Sequence, residues 1–253
     1  MNLHPLRFPL VVSVAFALAA AAHAAEPAII AKARAYLGTE AALEAVRSVH
    51  YVGTVLTSDP VDPTKQTKAL IEIVAQKPDQ QRVVATTDKA IETTVVSGYE
   101  GWQRNQDTLD PKRQRVVVFK PDAVKRLRAQ AWENLSFFRG IEKMGGRIED
   151  QGAVTVDGLN CQKLAFIYTP NVIFYRFFDV ATGRLVQTLT EDGSSTREEG
   201  ETVINGVRFP KRMQMTMKGP KGVSQDVVVT LDTITVNETF SPEIFRMPSP
   251  ATP

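Results

Sequence analysis

Residues 211–218 read KRMQMTMK, and this stretch shows most clearly how the chain is built. Every second side chain is a methionine, so Met213, Met215 and Met217 share one face of an extended strand, because successive side chains of a β-strand point to opposite faces. Polar side chains occupy the other face. The stretch therefore predicts a half-buried strand with one apolar face.

Two aromatic stretches alternate in the same way, at residues 162–168 (QKLAFIY) and 173–179 (IFYRFFD). The second carries aromatic side chains on both faces. Methionine and aromatic groups adapt to apolar ligands, although each of these positions also suits an ordinary core. We predict that the wall of an apolar, lipid-binding cavity consists of Phe166, Tyr168, Tyr175, Phe177, Met213, Met215 and Met217.

Strand signals cover most of the remaining chain. Asp157-Gly158, Asp192-Gly193 and Asn205-Gly206 are strong hairpin-turn signals between stretches of alternating polarity. The pattern predicts one curved antiparallel sheet of ten or so strands. Before residue 121, the stretches richest in β-branched residues are 49–57, 67–76, 81–87 and 90–97.

Two segments have helical periodicity. The first covers residues 27–46 and is interrupted at Gly38, after which Thr39 is suited to cap a second short helix. The second covers residues 121–139 and carries an apolar stripe. Two helices are few for so large a sheet, which favours a cavity between the layers. We expect the underside of the second helix to consist of Val124, Leu127, Leu135 and Phe138.

The first 25 residues have the pattern of a secretory signal. Arg7 is the only charged residue among them, residues 10–22 are apolar, and Ala22-His23-Ala24 is a small-x-small cleavage pattern. The apolar run is short for a bilayer of about 30 Å, although an uncleaved anchor remains the alternative. We predict a cleaved signal peptide at residues 1–24, a single domain at 25–248 and a disordered tail at 249–253.

Composition argues against several kinds of chemistry. Thirty Lys and Arg against 28 Asp and Glu leave a net charge of +2, too small for a protein that grips nucleic acid. Cys161 is the sole cysteine, which we interpret as a buried strand thiol, and the sequence contains no metal-ligand or nucleophile motif. We therefore predict no metal, no cofactor, no nucleic-acid partner and no enzymatic activity.

Carboxylate chemistry is the enzymatic alternative. The acidic groups at residues 191–192 and 198–201 lie in polar stretches that we expect to be exposed, which would leave their pKa values unsuited to acid catalysis. A hydrolase that uses Glu198 or Glu201 stays open as a less favoured hypothesis.

Several short motifs occur in a characteristic order along the chain. They are residues 38–43 (GTEAAL), 98–102 (GYEGW), 156–161 (VDGLNC), 177–185 (FFDVATGRL), 204–210 (INGVRFP) and 245–248 (FRMP). This order resembles the LolA/LolB-like superfamily of outer-membrane lipoprotein-sorting carriers. The resemblance implies an incomplete β-barrel of about eleven strands closed by a helical lid.

The same resemblance implies a function and partners. It implies a monomeric periplasmic carrier that holds lipoprotein acyl chains or another amphiphilic lipid and meets transport components of the inner or outer membrane. In the family, an arginine in an early strand fastens the lid, and Arg82 is a positional candidate for that role. A different function also fits the fold, because related periplasmic sensors bind a membrane-anchored regulator.

Overall fold

The computed structural model describes residues 26–219 and 223–248. They form one open antiparallel sheet of thirteen strands with three α-helices. The predicted signal peptide and the predicted tail lie outside the described residues. Within the described ranges, no helix is both long enough and apolar enough to cross a membrane.

The helices and strands alternate in blocks along the chain. The α-helices are α1 (Ala28–Leu37), α2 (Glu40–Ala45) and α3 (Pro121–Ser136). The strands are β1 (Ser48–Ser58), β2 (Gln66–Gln76), β3 (Gln80–Thr86), β4 (Ala90–Ser97), β5 (Glu100–Asp107), β6 (Gln114–Val118), β7 (Arg147–Val156), β8 (Leu159–Thr169), β9 (Val172–Asp179), β10 (Leu185–Thr190), β11 (Ser195–Ile204), β12 (Val207–Lys218) and β13 (Ser224–Val236).

The sheet consists of two meanders joined at one strand pair. Its order is β6-β5-β4-β3-β2-β1-β13-β12-β11-β10-β9-β8-β7, so β1 beside β13 is the one junction between strands that do not follow each other in sequence. At that junction Val49 lies opposite Val236. The chain crosses from the first meander to the second through α3.

Helix α3 shows that the sheet is curved. It packs against β2 to β5 near one edge and against β9 near the other. In sheet order β5 and β9 are nine strand positions apart, which is about 43 Å on a flat sheet at about 4.8 Å per strand. A helix of 16 residues is only about 24 Å long at about 1.5 Å per residue. The sheet must therefore curve around α3, and we call the face towards this helix the inner face.

The predicted helix boundaries are confirmed in their main features. The interruption at Gly38 separates α1 from α2, and the Thr39 hydroxyl accepts a hydrogen bond of 3.2 Å from the Ala42 amide. Helix α3 begins at Pro121 as predicted. It ends three residues earlier than expected, because Phe137 and Phe138 adopt left-handed conformations with φ values of 49° and 70°.

The number of strands differs from both expectations, since thirteen are present instead of ten or eleven. The sequence pattern does not predict strands β5 (EGWQRNQD) and β6 (QRVVV), which precede α3. Strand β5 is mostly polar, and β6 is a short, fully exposed edge strand, so neither carries a clear alternating pattern. The hairpins at Asp157-Gly158 and Asn205-Gly206 are confirmed, with positive φ at both residues of each turn.

Part of the outer face is also covered. Trp102 packs there with Val74 and Val95 beneath the segment after β13, which contributes Phe240 and Phe245. The Trp102 indole donates a hydrogen bond of 3.3 Å to the Phe245 carbonyl. These outer-face side chains and the C-terminal segment therefore form a small apolar core of their own.

Candidate functional site

A continuous apolar surface covers the inner face of the central strands. Its centre is formed by Ile71, Val229 and Leu231, which are buried. Half-buried apolar side chains from β1, β2, β3, β12 and β13 surround this centre, and the cluster contains no apolar helix residue among those described. Two of its members, Tyr51 and Ile234, also pack against the neighbouring cluster that contains residues of α2 and α3. We call this surface the inner hollow, and its half-buried members are Tyr51, Val55, Ile73, Val83, Met213, Met215, Val227 and Ile234.

The helices close the neighbouring part of the inner face. Ile30 of α1 and Ala129 of α3 pack on Phe166 and Phe178 in one buried cluster. The ring of Phe138 meets the ring of Phe178 edge-on, with 5.0 Å between centroids. Apart from Tyr51 and Ile234, the residues of the inner hollow are not part of the apolar clusters that contain helix residues.

The predicted cavity wall is divided by this arrangement. Met213 and Met215 belong to the inner hollow. Phe166 and Tyr168 lie on the inner face, but beneath the helices. Met217, at the end of β12, is 43% exposed.

Tyr175 and Phe177 require a correction, because they lie on the outer face. Phe166 pairs with Phe174 across β8 and β9, so the neighbours of Phe174 in β9 point away from the helices. The Lys163 ammonium lies 4.5 Å from the Tyr175 ring centroid on that side. Both faces of β9 are aromatic, and sequence alternation alone does not indicate which of them is the inner one.

The four residues predicted for the helix underside all pack inward. Val124 is buried against Val96 and Ala131, with Leu127 beside them. Leu135 packs into a second cluster that contains residues of α2, β1, β2 and β12. Phe138 lies beyond the end of α3 and packs on the cluster beneath α1.

A buried ion pair fastens α3 to β9. Arg176 Nη1 lies 2.5 Å from Glu133 Oε2, and each side chain is 8% exposed. The Tyr168 hydroxyl donates to the other oxygen of Glu133. Burial raises the pKa of Tyr168, and the Glu133 charge raises it further. The Arg176 guanidinium also lies 4.5 Å from the Phe166 ring centroid, so the pair is enclosed by aromatic groups.

A second arginine joins the helices to one another. Arg34 of α1 is only 4% exposed. It donates a hydrogen bond of 2.8 Å to the Phe137 carbonyl and another of 2.9 Å to Glu40. Arg139 donates to Glu26 at 2.8 Å and to Glu40 at 3.2 Å. The start of the described chain is thereby tied to the end of α3.

Arg82, the lid arginine suggested by the family resemblance, lies elsewhere. It pairs with Val74 and Val95 in the sheet, both of which belong to the outer-face cluster. Its guanidinium donates a hydrogen bond of 3.0 Å to Glu72. Arg34 and Arg176 reach α3 or the residue that follows it, whereas Arg126 and Arg128 of α3 itself pair with Glu191 and Asp79.

Glu198 also departs from expectation, because it is not an exposed turn residue. It lies opposite Met213 in the sheet and therefore faces inward. Burial raises the pKa of Glu198, and the positive charge of Arg176 opposes this in part. Burial also raises the pKa of Tyr51, with a further contribution from Glu198. Alternation does not predict this inward position, since Glu198 lies within the polar run of residues 195–201.

The acidic neighbours of Glu198 form ion pairs at the protein surface. Glu199 pairs with Arg212 and Glu201 with Arg208, both at 3.0 Å.

Cys161 is fully buried on the outer face beside Phe177, and burial raises the pKa of its thiol. A buried thiol with a raised pKa is a poor nucleophile, which agrees with the structural interpretation of this residue.

Comparison with known proteins gives matches in fold. No protein-family model matches the sequence, and no curated protein matches it significantly. A LolA superfamily protein from Nitrosomonas europaea superposes with a TM-score of 0.57 at 12% identity, covering 87% of this chain and 96% of that one. An outer membrane lipoprotein-sorting protein domain from Vibrio parahaemolyticus gives 0.55 at 12% identity, covering 85% and 94%.

A DUF1329 family protein from Desulfovibrio piger is similar to the same extent, with a TM-score of 0.54 at 11% identity over 87% of this chain and 96% of that one. Identities this low show a shared fold and nothing finer. The chain therefore has the fold of the LolA superfamily and of outer membrane lipoprotein-sorting domains.

Proposed function

We propose that the protein is an exported, periplasmic carrier whose inner hollow holds lipoprotein acyl chains or another amphiphilic lipid. One observation carries the proposal: the side chains of the hollow are apolar and face the inside of a curved sheet, yet most are only half-buried. An alkyl chain placed there would gain about 0.8 kcal/mol for each methylene removed from water. The names of the fold relatives support the same ligand class.

In this proposal, the sheet acts as an incomplete barrel and the helices act as its lid. The contacts of Arg34 and Arg176 support that role, because they join the helices to each other and to β9 through a few polar groups. A ligand chain could enter the hollow beside α3 without unfolding a strand. Carriage then requires a pocket and no covalent chemistry.

The first experiment identifies what the protein carries. Protein purified under gentle conditions is analysed by mass spectrometry, and we expect a co-purifying lipid or acylated peptide. Displacement of a fluorescent fatty acid then measures affinity. The absence of any co-purifying lipid, together with no binding of the fluorescent fatty acid, would contradict the proposal. Capture of a specific inner-membrane protein, without lipid, would favour the regulator-binding alternative.

Variants in one strand locate the site. Met215→Asp places a charge in the inner hollow and should weaken fatty-acid binding at least tenfold, because a carboxylate would contact the alkyl chain. Gln214→Asp adds the same charge on the outer face of the same strand and should change affinity less than twofold. Circular dichroism checks folding, and Met215→Gln replaces the charged variant if that one does not fold.

A further inference from the structure

A cleft outside the inner hollow has an unusual charge distribution. It lies between α1, α2, the turn after β2 and the C-terminal end of α3, and its volume is about 580 Å³. Its lining contains one carboxylate, Glu44, and five cationic side chains. We call it the basic cleft, and the five cations are Arg34, Arg47, Lys77, Arg139 and Lys143.

The five cations differ in their ionic partners within the described part of the chain. Arg34 pairs with Glu40 of α2, and Arg139 pairs with Glu40 and with Glu26, which lies two residues before α1. Among the described residues, Arg47, Lys77 and Lys143 form no ion pair within 4.0 Å. Three positive charges therefore converge on one concave surface, and Glu44 is the only carboxylate among the described residues of its lining.

The position of Lys77 shows that this crowding is unfavourable. Burial lowers the pKa of Lys77, and the positive charges of Arg47, Arg34 and Lys143 lower it further. Glu44 opposes these effects only in part. Like charges held together at a partly buried site cost free energy, and an anion bound among them would relieve that cost.

The floor of the cleft is apolar. Leu43, Leu135 and Phe137 are buried beneath it, and the Lys77 ammonium lies 6.0 Å from the centroid of the Phe137 ring. The Trp132 indole nitrogen, also at the cleft, is buried and has no hydrogen-bond partner among the described residues. A volume of this size suits a small molecule or a lipid headgroup better than the flat surface of a folded protein.

We propose that the basic cleft binds the phosphate or carboxylate group of an anionic amphiphile, with the adjoining part of its apolar chain against the cleft floor. Arg47, Lys77 and Lys143 provide the charge, and Phe137 and the half-buried ring of Trp132 provide the apolar contact. This site is separate from the inner hollow. The proposal for the cleft holds whether or not the inner hollow binds lipid.

Calorimetry with three probes tests the site and separates its ligand sources. Dodecyl phosphate carries both features, inorganic phosphate carries only the charge, and dodecyl maltoside carries only the chain. The test variant is Lys77→Gln/Lys143→Gln. The matched control is Lys68→Gln/Lys112→Gln, which removes the same charge from exposed lysines on β2 and in the turn before β6.

We expect the test variant to bind dodecyl phosphate at least tenfold more weakly than the unmodified protein, and the control variant to bind it within twofold. Dodecyl maltoside should bind all three proteins alike. Dodecyl phosphate binding at least tenfold tighter than inorganic phosphate assigns the cleft to a lipid headgroup. Equal binding of the two, lost in the test variant, supports the anion site and assigns it to a free anion.

Two outcomes would overturn the proposal. These are no binding of either phosphate and an equal loss of binding in the test and control variants. Dodecyl phosphate binding that Met215→Asp abolishes and the lysine variant leaves intact would overturn the cleft site while supporting the inner hollow. Failure of the two proposals is therefore distinguishable.

Discussion

Glu198 on β11 lies directly opposite Met213 on β12, so a carboxyl group and a thioether share the inner face of the sheet. The neighbouring Glu199 points the other way and pairs with Arg212 at 3.0 Å. Two adjacent glutamates thus have opposite environments, one among apolar groups and one at the surface. This contrast allows the interior of the sheet to be probed by pH.

The first prediction concerns stability at neutral pH. Burial raises the pKa of Glu198 above its ordinary value of 4.5. The folded protein therefore holds this proton to higher pH than the unfolded chain does, and stability falls as the pH rises from 4.5 through the raised pKa. Glu198→Gln removes the charge, and we expect its midpoint of thermal unfolding to exceed that of the unmodified protein by a few degrees at pH 7.5.

At pH 4 the same variant should match the unmodified protein, since Glu198 is then protonated in both states. Glu199→Gln is the control, because it loses only a half-exposed ion pair worth at most about 1 kcal/mol and should show no gain at pH 7.5. Equal midpoints for Glu198→Gln and the unmodified protein at pH 7.5 would show that Glu198 is effectively solvated.

The second prediction concerns the buried pair of Glu133 and Arg176. Glu133→Gln leaves the Arg176 charge buried without its counterion, which should reduce the free energy of unfolding by about 3 kcal/mol. Urea denaturation measures this value. Arg212→Gln breaks a half-exposed pair and should cost less than about 1 kcal/mol.

A double-mutant cycle isolates the pair itself. Because Glu133 and Arg176 are in direct contact, Glu133→Gln/Arg176→Met should cost clearly less than the sum of the two single variants. Additive costs would show that the two charges do not interact, and would remove the main polar link between α3 and β9.

The third prediction concerns the attachment of α1. Arg34→Met leaves the Phe137 carbonyl without its donor and frees Glu40, so α1 should open more readily. Hydrogen exchange of the α1 amides should become at least tenfold faster, while exchange in β1 stays unchanged. Arg34→Lys retains the charge but not the paired donors, and it should give an intermediate rate. Unchanged exchange in α1 would show that packing alone holds the helix.

The fourth prediction compares two turn glycines. Gly183 and Gly158 have φ values of 82° and 78°, so alanine is strained at both by a similar amount. At Gly183 the added Cβ would lie 2.6 Å from the backbone of Lys32 in α1, whereas at Gly158 no atom lies within 4 Å. Gly183→Ala should therefore cost at least about 2 kcal/mol more than Gly158→Ala in urea denaturation. Equal costs would mean that the turn does not press on α1.

Local features of the fold follow from the sequence because their causes are local. Gly38 interrupts the first helix, Thr39 caps the next one, and Asn205-Gly206 adopts the positive φ values that a two-residue hairpin needs. Strands β5 and β6 cannot be predicted from local sequence in this way. Their polar residues carry no alternating pattern, and their place in the sheet is fixed by backbone pairing with β4 and with each other.

Alternation of side chains along a strand separates its two faces but does not indicate which face turns inward. A repeat of two residues separates Tyr175 and Phe177 from Phe174 and Phe178, but both sets are apolar. Pairing with β8 and the presence of α3 on one side decide that Phe174 and Phe178 face inward. Tyr168 and Phe166 reach the inner face by the same contacts.

What the sequence determined by itself was the class of the structure: antiparallel strands with hairpin turns, an amphipathic helix between two groups of strands, and an apolar face at Met213 and Met215. Only the tertiary structure decided which faces turn inward, that Glu198 lies among apolar groups, and that Arg47, Lys77 and Lys143 converge on one cleft. The physical reason is distance along the chain. Each of these features depends on contacts between segments far apart in sequence, and the curvature of the sheet around α3 brings those segments together.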